Sequence, residues 1–308
     1  MDNQIPNIPD INNYTEIKDA VNTKKLAVFI GAGVSRIIGC KGWDQLAKEL
    51  IEMCYTTEKD GKRLIDKNYK DVLLKDNDHK KQISITYDIF ERDNFEEIFY
   101  QTMYNALKCN PDKKKKFNIY KEIYGLRGFY ITTNADKHMH EFFQSDRVRF
   151  RDEHFDSHDI NTNYLYHIHG LEGYEDSLVF TASSYLKRYH RSTKNEKFFE
   201  FLTKIFSNYV VLFVGYGLSE FEILNNILPE YKSRSIFSLM PYEKSDVRYK
   251  YEKSYYDKIN ITIIPYSISE NSYEQLYFVL QNWSKEINKL SSYTYDSIQE
   301  LEKLMEEH

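Results

Sequence analysis

The chain has 308 residues, of which 41% are hydrophobic and 29% are charged, and its formal net charge is −5. Such a chain can bury a large core, which argues against a disordered protein, and its net charge gives no reason to expect direct binding of nucleic acid. It contains no apolar run of about 18 residues that could cross a membrane, and its polar first residues do not resemble a signal peptide. The three cysteines are widely spaced, which excludes a cysteine-rich zinc module and predicts a cytoplasmic protein with no bound metal.

Short apolar runs alternate with helical patterns along most of the chain. We expect the runs to form buried parallel strands, because strands covered on both faces read as continuous hydrophobic stretches. They occupy residues 25–31, 128–133, 163–170, 209–217, 235–240 and 260–266. The alternation predicts an α/β fold, a Rossmann-like doubly wound parallel sheet.

Two stretches do not fit this alternation and predict a helical cap beside the sheet. They are residues 55–125 and residues 183–208, which are mostly helical in pattern. Sheet and cap together would form one domain over residues 1–290. Residues 291–308 predict an amphipathic terminal helix, which either packs on the core or contacts a partner.

The first candidate site is the segment "VFIGAGVS", in which a strand runs into Gly31 and Gly33 and then into a helix. This places a tight turn at the carboxyl edge of the sheet, where a missing Cβ on Gly33 would let a phosphate approach the backbone. The third glycine of a dinucleotide fingerprint is replaced by Arg36, so the segment is not a standard Rossmann motif. Taken alone, the segment is equally compatible with a phosphate-binding turn and with a strand that simply ends in two glycines.

Polar residues also end the second strand, in the segment "FYITTNAD". Asn134 can donate and accept hydrogen bonds at once, which suits a ribose hydroxyl or a positioned water. Asp136 could hold a polar ring substituent. The alternative is that both side chains simply cap the next helix.

A histidine ends the third strand, in the segment "YLYHIHG". Strand alternation predicts that His167 and His169 share one face, and His169 lies at the strand end, where it could act as a general base. His167 is expected to be buried. Two histidines without a nearby cysteine or carboxylate make a poor metal site.

The fourth segment, "LFVGYGLSE", has the same pattern as the first, a strand followed by a glycine turn and a helix. A strand ends in Gly215 and Gly217 and opens a helix with Ser219 at its start. Two such turns at one sheet edge could bracket the two halves of a dinucleotide.

In this order, the four segments resemble the sirtuin family, whose pattern is G-A-G-x-S, then a T-x-N-x-D strand end, then H-G, then a second glycine turn. The resemblance implies that NAD+ binds across the sheet, with Asn134 and His169 as the catalytic residues. The cofactor-binding set that it implies is Gly31, Ala32, Gly33, Ser35, Arg36, Thr133, Asp136, Gly215, Gly217, Ser219 and Leu239.

Departures from the family pattern favour one branch. Protein-deacylating sirtuins carry a four-cysteine zinc ribbon soon after the histidine, and no cysteine lies between His169 and Gly215. Thr133 replaces the glutamine that precedes the key asparagine. With Trp43 soon after the first motif and a helical cap in place of zinc, the chain looks like the sirtuin-like NADases of bacterial antiphage systems, the Thoeris effectors and defence-associated sirtuins.

That resemblance implies an NAD+ glycohydrolase that releases nicotinamide and ADP-ribose and depletes NAD+ in an infected cell. It also implies a homo-oligomer with a regulatory partner protein, such as an ATPase. Two alternatives stay open at this point: an NAD-dependent protein deacylase, and a non-catalytic sensor that binds NAD or ADP-ribose.

Overall fold

The computed structural model describes residues 5–160, 164–190, 192–217, 235–268 and 272–289. The strands in these residues are β1 (Leu26–Ile30), β2 (Glu58–Lys59), β3 (Lys62–Arg63), β4 (Phe129–Thr132), β5 (Val148–Arg149), β6 (Leu165–His167), β7 (Val210–Val214), β8 (Ile236–Tyr242) and β9 (Ile261–Ser267). Seven of them form one sheet in the order β5-β6-β4-β1-β7-β8-β9, and every pairing in it is parallel. This confirms the predicted α/β fold. The short strand β5 was not predicted, because two residues carry no readable hydrophobic pattern.

Helices surround this sheet. They are α1 (Thr15–Asn22), α2 (Ala32–Ile37), α3 (Trp43–Thr56), α4 (Lys67–Lys75), α5 (His79–Asp93), α6 (Glu96–Leu107), α7 (Pro111–Lys116), α8 (Ile119–Tyr124), α9 (Ala182–Tyr189), α10 (Glu196–Asn208), α11 (Arg248–Asp257) and α12 (275–289). Their starts follow local rules. Asp66 and Asp78 each accept a hydrogen bond from a backbone N–H of the first turn of α4 and α5, and Pro111 opens α7, where a missing N–H costs nothing.

Both faces of the sheet are covered, because alternate residues of each strand point to opposite sides. Val28 of β1 packs in a cluster with α1, α8 and α12, whereas Phe29 packs in a second cluster with α9 and α10. The strands are therefore apolar throughout, and β1 and β7 are buried at all five positions.

The helices α3 to α6 form a third cluster beside the sheet. Its core includes Leu50 and Ile51 of α3, Phe90 of α5 and Phe99 of α6. The segment predicted as the second part of the cap, residues 183–208, divides between two locations. Helix α9 contacts α5, but α10 lies on the sheet, because Phe201, Ile205 and their neighbours make a stripe that only the apolar sheet face can cover. The terminal segment 291–308 lies outside the described residues.

Candidate active site

Three loops meet at the carboxyl edge of the sheet. They follow β1, β4 and β7, which are neighbours with β1 in the middle. After β1, the chain forms β4, β5 and β6 on one side of β1 in the sheet, and it then forms β7 on the other side of β1. A parallel sheet binds ligands at such a switch point, because the loops diverge there and leave a crevice.

The two glycine turns touch each other across this edge. The Gly31 N–H donates to Val214 O at 2.9 Å, and the Gly33 N–H donates to Gly215 O at 2.9 Å. A Cβ on Gly31 would lie 2.6 Å from Gly215 O, and one on Gly33 would lie 2.8 Å from the same atom. The missing side chains thus admit the neighbouring backbone, a role that the sequence did not suggest. The N–H of Gly33 already has an acceptor and is not free for a phosphate.

Four polar side chains form one buried cluster beneath the turns. The Ser35 hydroxyl donates to Asp136 Oδ2 at 2.6 Å and lies 2.8 Å from the Tyr120 hydroxyl. Tyr120 in turn lies 3.2 Å from Asp136 Oδ1, and Asn134 Nδ2 donates to Ser35 Oγ at 2.9 Å. The Asp136 carboxylate also accepts from the His138 N–H at 3.1 Å, so hydrogen-bond donors stabilise its charge in the protein interior. Residues predicted from two separate segments of the sequence, Ser35 from one and Asn134 and Asp136 from the other, are thus brought together.

The orientation of the Asn134 amide follows from its partners. Its Nδ2 lies 3.1 Å from Gly31 O, which can only accept, so the atom facing it must be the NH₂ group. One hydrogen points to Gly31 O and the other to Ser35 Oγ, which uses both donors. Within the described residues the amide oxygen Oδ1 has no such partner, and Asn134 lines the cleft described below. A hydrogen-bond acceptor is therefore available to a ligand.

Tyr120 is the member of the cluster that sequence reasoning missed. It lies on α8 among Ile119 and Ile123, in a pattern that reads as an ordinary apolar helix face. Burial and the nearby Asp136 raise its pKa well above the usual value, so the phenol stays protonated and can donate. Nothing in a single sequence distinguishes this tyrosine from a core residue.

A cleft of about 810 Å³ opens above the cluster. Most of the residues predicted from the sequence line it. They are Ala32, Gly33, Ser35, Arg36, Thr133, Asn134, Asp136, Gly215, Gly217 and Leu239. Gly31 and His169 do not line it, and Ser219 lies outside the described residues.

The walls of the cleft combine cations and aromatic rings, as a nucleotide site would require. Arg36 is exposed, and its guanidinium lies 5.9 Å from the ring centre of Tyr273 across the mouth. Lys41 and Lys113 add further positive charges, and the carboxylates of Asp44 and Glu274 line the same cleft. Deeper in the cleft, Trp43 packs on Phe180 with ring centres 5.3 Å apart. The cleft can therefore hold an anionic group and a flat ring at the same time.

His169 is buried, with 2% of its surface exposed. Its Nε2 lies 2.6 Å from the Tyr189 hydroxyl, and its ring packs edge-on against Tyr185. Burial lowers its pKa to about 3, with smaller contributions from Arg188 and Lys80. The imidazole is thus neutral at pH 7, the form that can accept a hydrogen bond, but it holds a proton only weakly.

His167 and His169 do not share an environment, and this prediction from strand alternation is wrong. Strand β6 ends at His167, and the chain then turns towards Gly170, which has a φ of +81°. His167 contacts Asn134 and His140, whereas His169 contacts Tyr185 and Tyr189. The alternation of side chains between the two faces of a strand holds only up to its last paired residue, which here is His167.

The described residues contain neither a metal-binding group nor a membrane-spanning helix. No three His, Cys, Asp or Glu side chains come together there in a way that could hold a metal ion. None of the described helices is long and apolar enough to cross a membrane. Cys40, Cys54 and Cys109 are all free thiols.

Comparison with known families gives one match. A family model described as a SIR2-like domain matches residues 128–264. The match supports a sirtuin-like family. No curated protein matches the chain.

The sirtuin-like match contains one side of the site. It includes Asn134, Asp136, His169 and the Gly215 turn, whereas Gly31 and Ser35 precede it. The structure joins the two parts, because the Gly33 N–H and the Ser35 hydroxyl bond directly to residues of the matched region. A SIR2-like domain fits an enzyme that uses NAD.

Proposed function

We propose that this protein is an NAD+ glycohydrolase, which splits NAD+ into nicotinamide and ADP-ribose. The observation that carries the proposal is the fixed amide of Asn134. Both of its hydrogens are bonded to protein acceptors, which leaves Oδ1 for a ligand in the cleft. The sirtuin-like match adds that the ligand is a form of NAD.

Cleavage of the bond between nicotinamide and ribose needs little help from an acid catalyst. Nicotinamide is a cationic substituent in NAD+ and leaves neutral, so the transition state is an oxocarbenium ion on the ribose. An enzyme accelerates this step by orienting the ribose, excluding bulk water and placing one attacking water. We assign the orientation of a ribose hydroxyl or of that water to Asn134 Oδ1.

Asp136 has a supporting role in this proposal, whereas His169 has no direct contact with the cleft. Asp136 lines the cleft, where its negative charge would favour the cationic nicotinamide end of the substrate. His169 is the second catalytic residue that the resemblance implies, but it lies outside the cleft with its Nε2 2.6 Å from the Tyr189 hydroxyl, so we assign it no contact with the ribose or the water. With a pKa of about 3 it would not act as a strong base in the arrangement seen here.

Two other functions remain as rivals. A protein deacylase of this family would use a four-cysteine zinc ribbon, and the chain has only three cysteines, all before residue 110. A non-catalytic sensor would need the cleft but not an oriented amide. The missing cysteines therefore disfavour the deacylase, and the fixed acceptor at Asn134 disfavours the sensor.

Incubation of the purified full chain with NAD+ tests the proposal. Nicotinamide and ADP-ribose are quantified by chromatography, with and without an acetylated peptide. We expect equal release in both reactions. Asn134→Ala should lower kcat by about 100-fold or more, because it removes the acceptor that orients the reacting groups.

The matched control is Asn105→Ala on α6, an exposed asparagine outside the cleft whose Oδ1 accepts a hydrogen bond from Lys108 Nζ at 2.7 Å. It should keep wild-type turnover. Release that requires the peptide would indicate a deacylase, and binding of NAD+ without release would indicate a sensor. Full turnover by a folded Asn134→Ala protein would exclude the assigned site.

Antiphage defence by NAD+ depletion is the wider role that we propose. It is supported by the sequence resemblance alone, as are the homo-oligomer and the partner ATPase. Phage challenge of bacteria that express the wild type or Asn134→Ala tests it, with cellular NAD+ as the readout. Equal NAD+ levels and equal phage yields in the two strains would contradict the role.

A further inference from the structure

Two histidine rings lie directly behind the candidate catalytic loop. His167 Nδ1 lies 2.8 Å from the backbone oxygen of Asn134, and His167 Nε2 lies 3.1 Å from His140 Nε2. The two rings meet nearly at right angles, with their centres 5.1 Å apart. His167 is 1% exposed, whereas His140 is partly exposed.

The partners determine which nitrogen of each ring carries its proton. A backbone oxygen can only accept, so Nδ1 of His167 must donate to Asn134. In a neutral ring Nε2 is then an acceptor, and the hydrogen in the contact between the rings must belong to His140 Nε2. Burial lowers the pKa of His167 to about 3 and that of His140 to about 4, so both rings are neutral at pH 7, as this arrangement requires.

The pair connects two points of one loop to the sheet. Asn134 and His140 both belong to the segment after β4, and His167 is the last residue of β6, opposite Thr132. The backbone of Asn134 is therefore held from behind, while Ser35 and Gly31 hold its side chain from the other side. Movement of this backbone would also move the side-chain amide of Asn134, which lines the cleft.

We propose that His167, oriented by His140, is a positioning residue for Asn134. The proposal rests on the function assigned above, since it concerns the same amide. The proposed role involves no contact between His167 and the substrate, because His167 does not line the cleft. Its expected effect is on the rate of the chemical step rather than on substrate affinity.

Kinetics of full-length variants provide the first test. His167→Leu removes the donor and should lower kcat for NAD+ by about 10- to 100-fold, with KM changed less than about threefold. His167→Asn is the matched variant, because its amide nitrogen can take the place of Nδ1, and it should recover most of kcat. His140→Leu should lower kcat and His140→Gln, which retains a donor, should not.

Amide hydrogen exchange of the same proteins gives a readout that needs no turnover. Peptides covering residues 133–140 should exchange at least about tenfold faster in His167→Leu than in the wild type, and at the wild-type rate in His167→Asn. If the wild type does not hydrolyse NAD+, the proposed function fails and the exchange data still decide the positioning role. Unchanged kcat in an active protein, or unchanged exchange, in both His167→Leu and His140→Leu would overturn it.

His140 keeps the test usable if His167→Leu does not fold, because its ring is partly exposed and tolerates substitution better. A loss of kcat in both His140→Leu and His140→Gln would contradict the hydrogen-bond argument. Such a result would mean that the size of the ring matters and not its donor.

Discussion

Single residues decide the chemistry of this site through the hydrogen bonds that hold them. Asn134 is a candidate catalytic residue because its two amide hydrogens are already bonded, and not only because it ends a strand. Ser35 connects Asn134 to Asp136 and Tyr120 in the protein interior. A change of any one of them would leave a buried polar partner unsatisfied, which costs about 1–3 kcal/mol.

Three histidines with lowered pKa values, two of them buried and one partly exposed, should make the stability of the fold dependent on pH. Burial lowers the pKa of His140 to about 4 and those of His167 and His169 to about 3, from an ordinary value near 6.5. Between these values the unfolded chain binds more protons than the native protein. The free energy of unfolding should therefore be highest above about pH 6.5 and fall as the pH decreases towards 4, by up to about 1.4 kcal/mol per pH unit for each ring.

Urea denaturation at pH 7, 6 and 5 measures this slope. His169→Phe removes one titrating group and keeps a ring of similar size, so its slope should be smaller by up to about 1.4 kcal/mol per pH unit. An identical slope in this variant would show that His169 does not titrate below its ordinary range.

At the scale of elements, the contact between two glycine turns fixes the geometry of the site. The turns follow β1 and β7, which pair along their whole lengths, and the hydrogen bonds of Gly31 and Gly33 extend this pairing into the loops. Helix α2 then begins at Ala32 and carries Ser35 towards Asp136. The close approach of the turns thus places a polar side chain of one loop against the loop after β4.

Gly31→Ala should separate these turns. The added Cβ would lie 2.6 Å from Gly215 O and 2.8 Å from Tyr216 Cα, and backbone atoms cannot move aside cheaply. We expect a loss of about 2–3 kcal/mol in the free energy of unfolding and loss of NAD+ binding. Urea denaturation and calorimetric titration measure the two effects.

Gly61→Ala is the control for this variant. It lies at the turn between β2 and β3, where an added Cβ has no atom within 4 Å, so its cost comes only from the φ of +74° and should be roughly 1 kcal/mol. NAD+ binding should be unchanged. Equal effects of the two alanines on binding would contradict the role given to the glycine contact.

At the scale of the whole molecule, the region that matches the SIR2-like domain is not a complete structural unit. It extends over residues 128–264, but β1 lies between β4 and β7 in the middle of the sheet. Without β1 these two strands would have unpaired inner edges, and Ser35 would be absent from the site. The cap cluster of α3 to α6 also precedes the matched region.

A fragment of residues 128–264 should therefore fail to fold. Its amide proton spectrum should lack the dispersion that the full chain shows, and it should not bind NAD+. A folded fragment with native helix and strand content would show that β1 is not needed to organise the sheet.

The sequence by itself determined the class of fold and the position of most of the site. Continuous apolar strands between helices predict a parallel sheet, and residues that end such strands must gather at one edge. This is why Ser35, Asn134, Asp136 and Gly215 could be selected without coordinates. Their common edge follows from chain direction alone.

Only the tertiary structure decided what those residues contact. It showed that the glycines admit neighbouring backbone, that Tyr120 completes the cluster, and that His167 and His169 have different environments. The physical reason is that such contacts join residues far apart in the chain, such as Ser35 and Asp136, which are 101 positions apart. Local patterns report which face a residue occupies, but the partner on that face is set by the packing of the whole sheet.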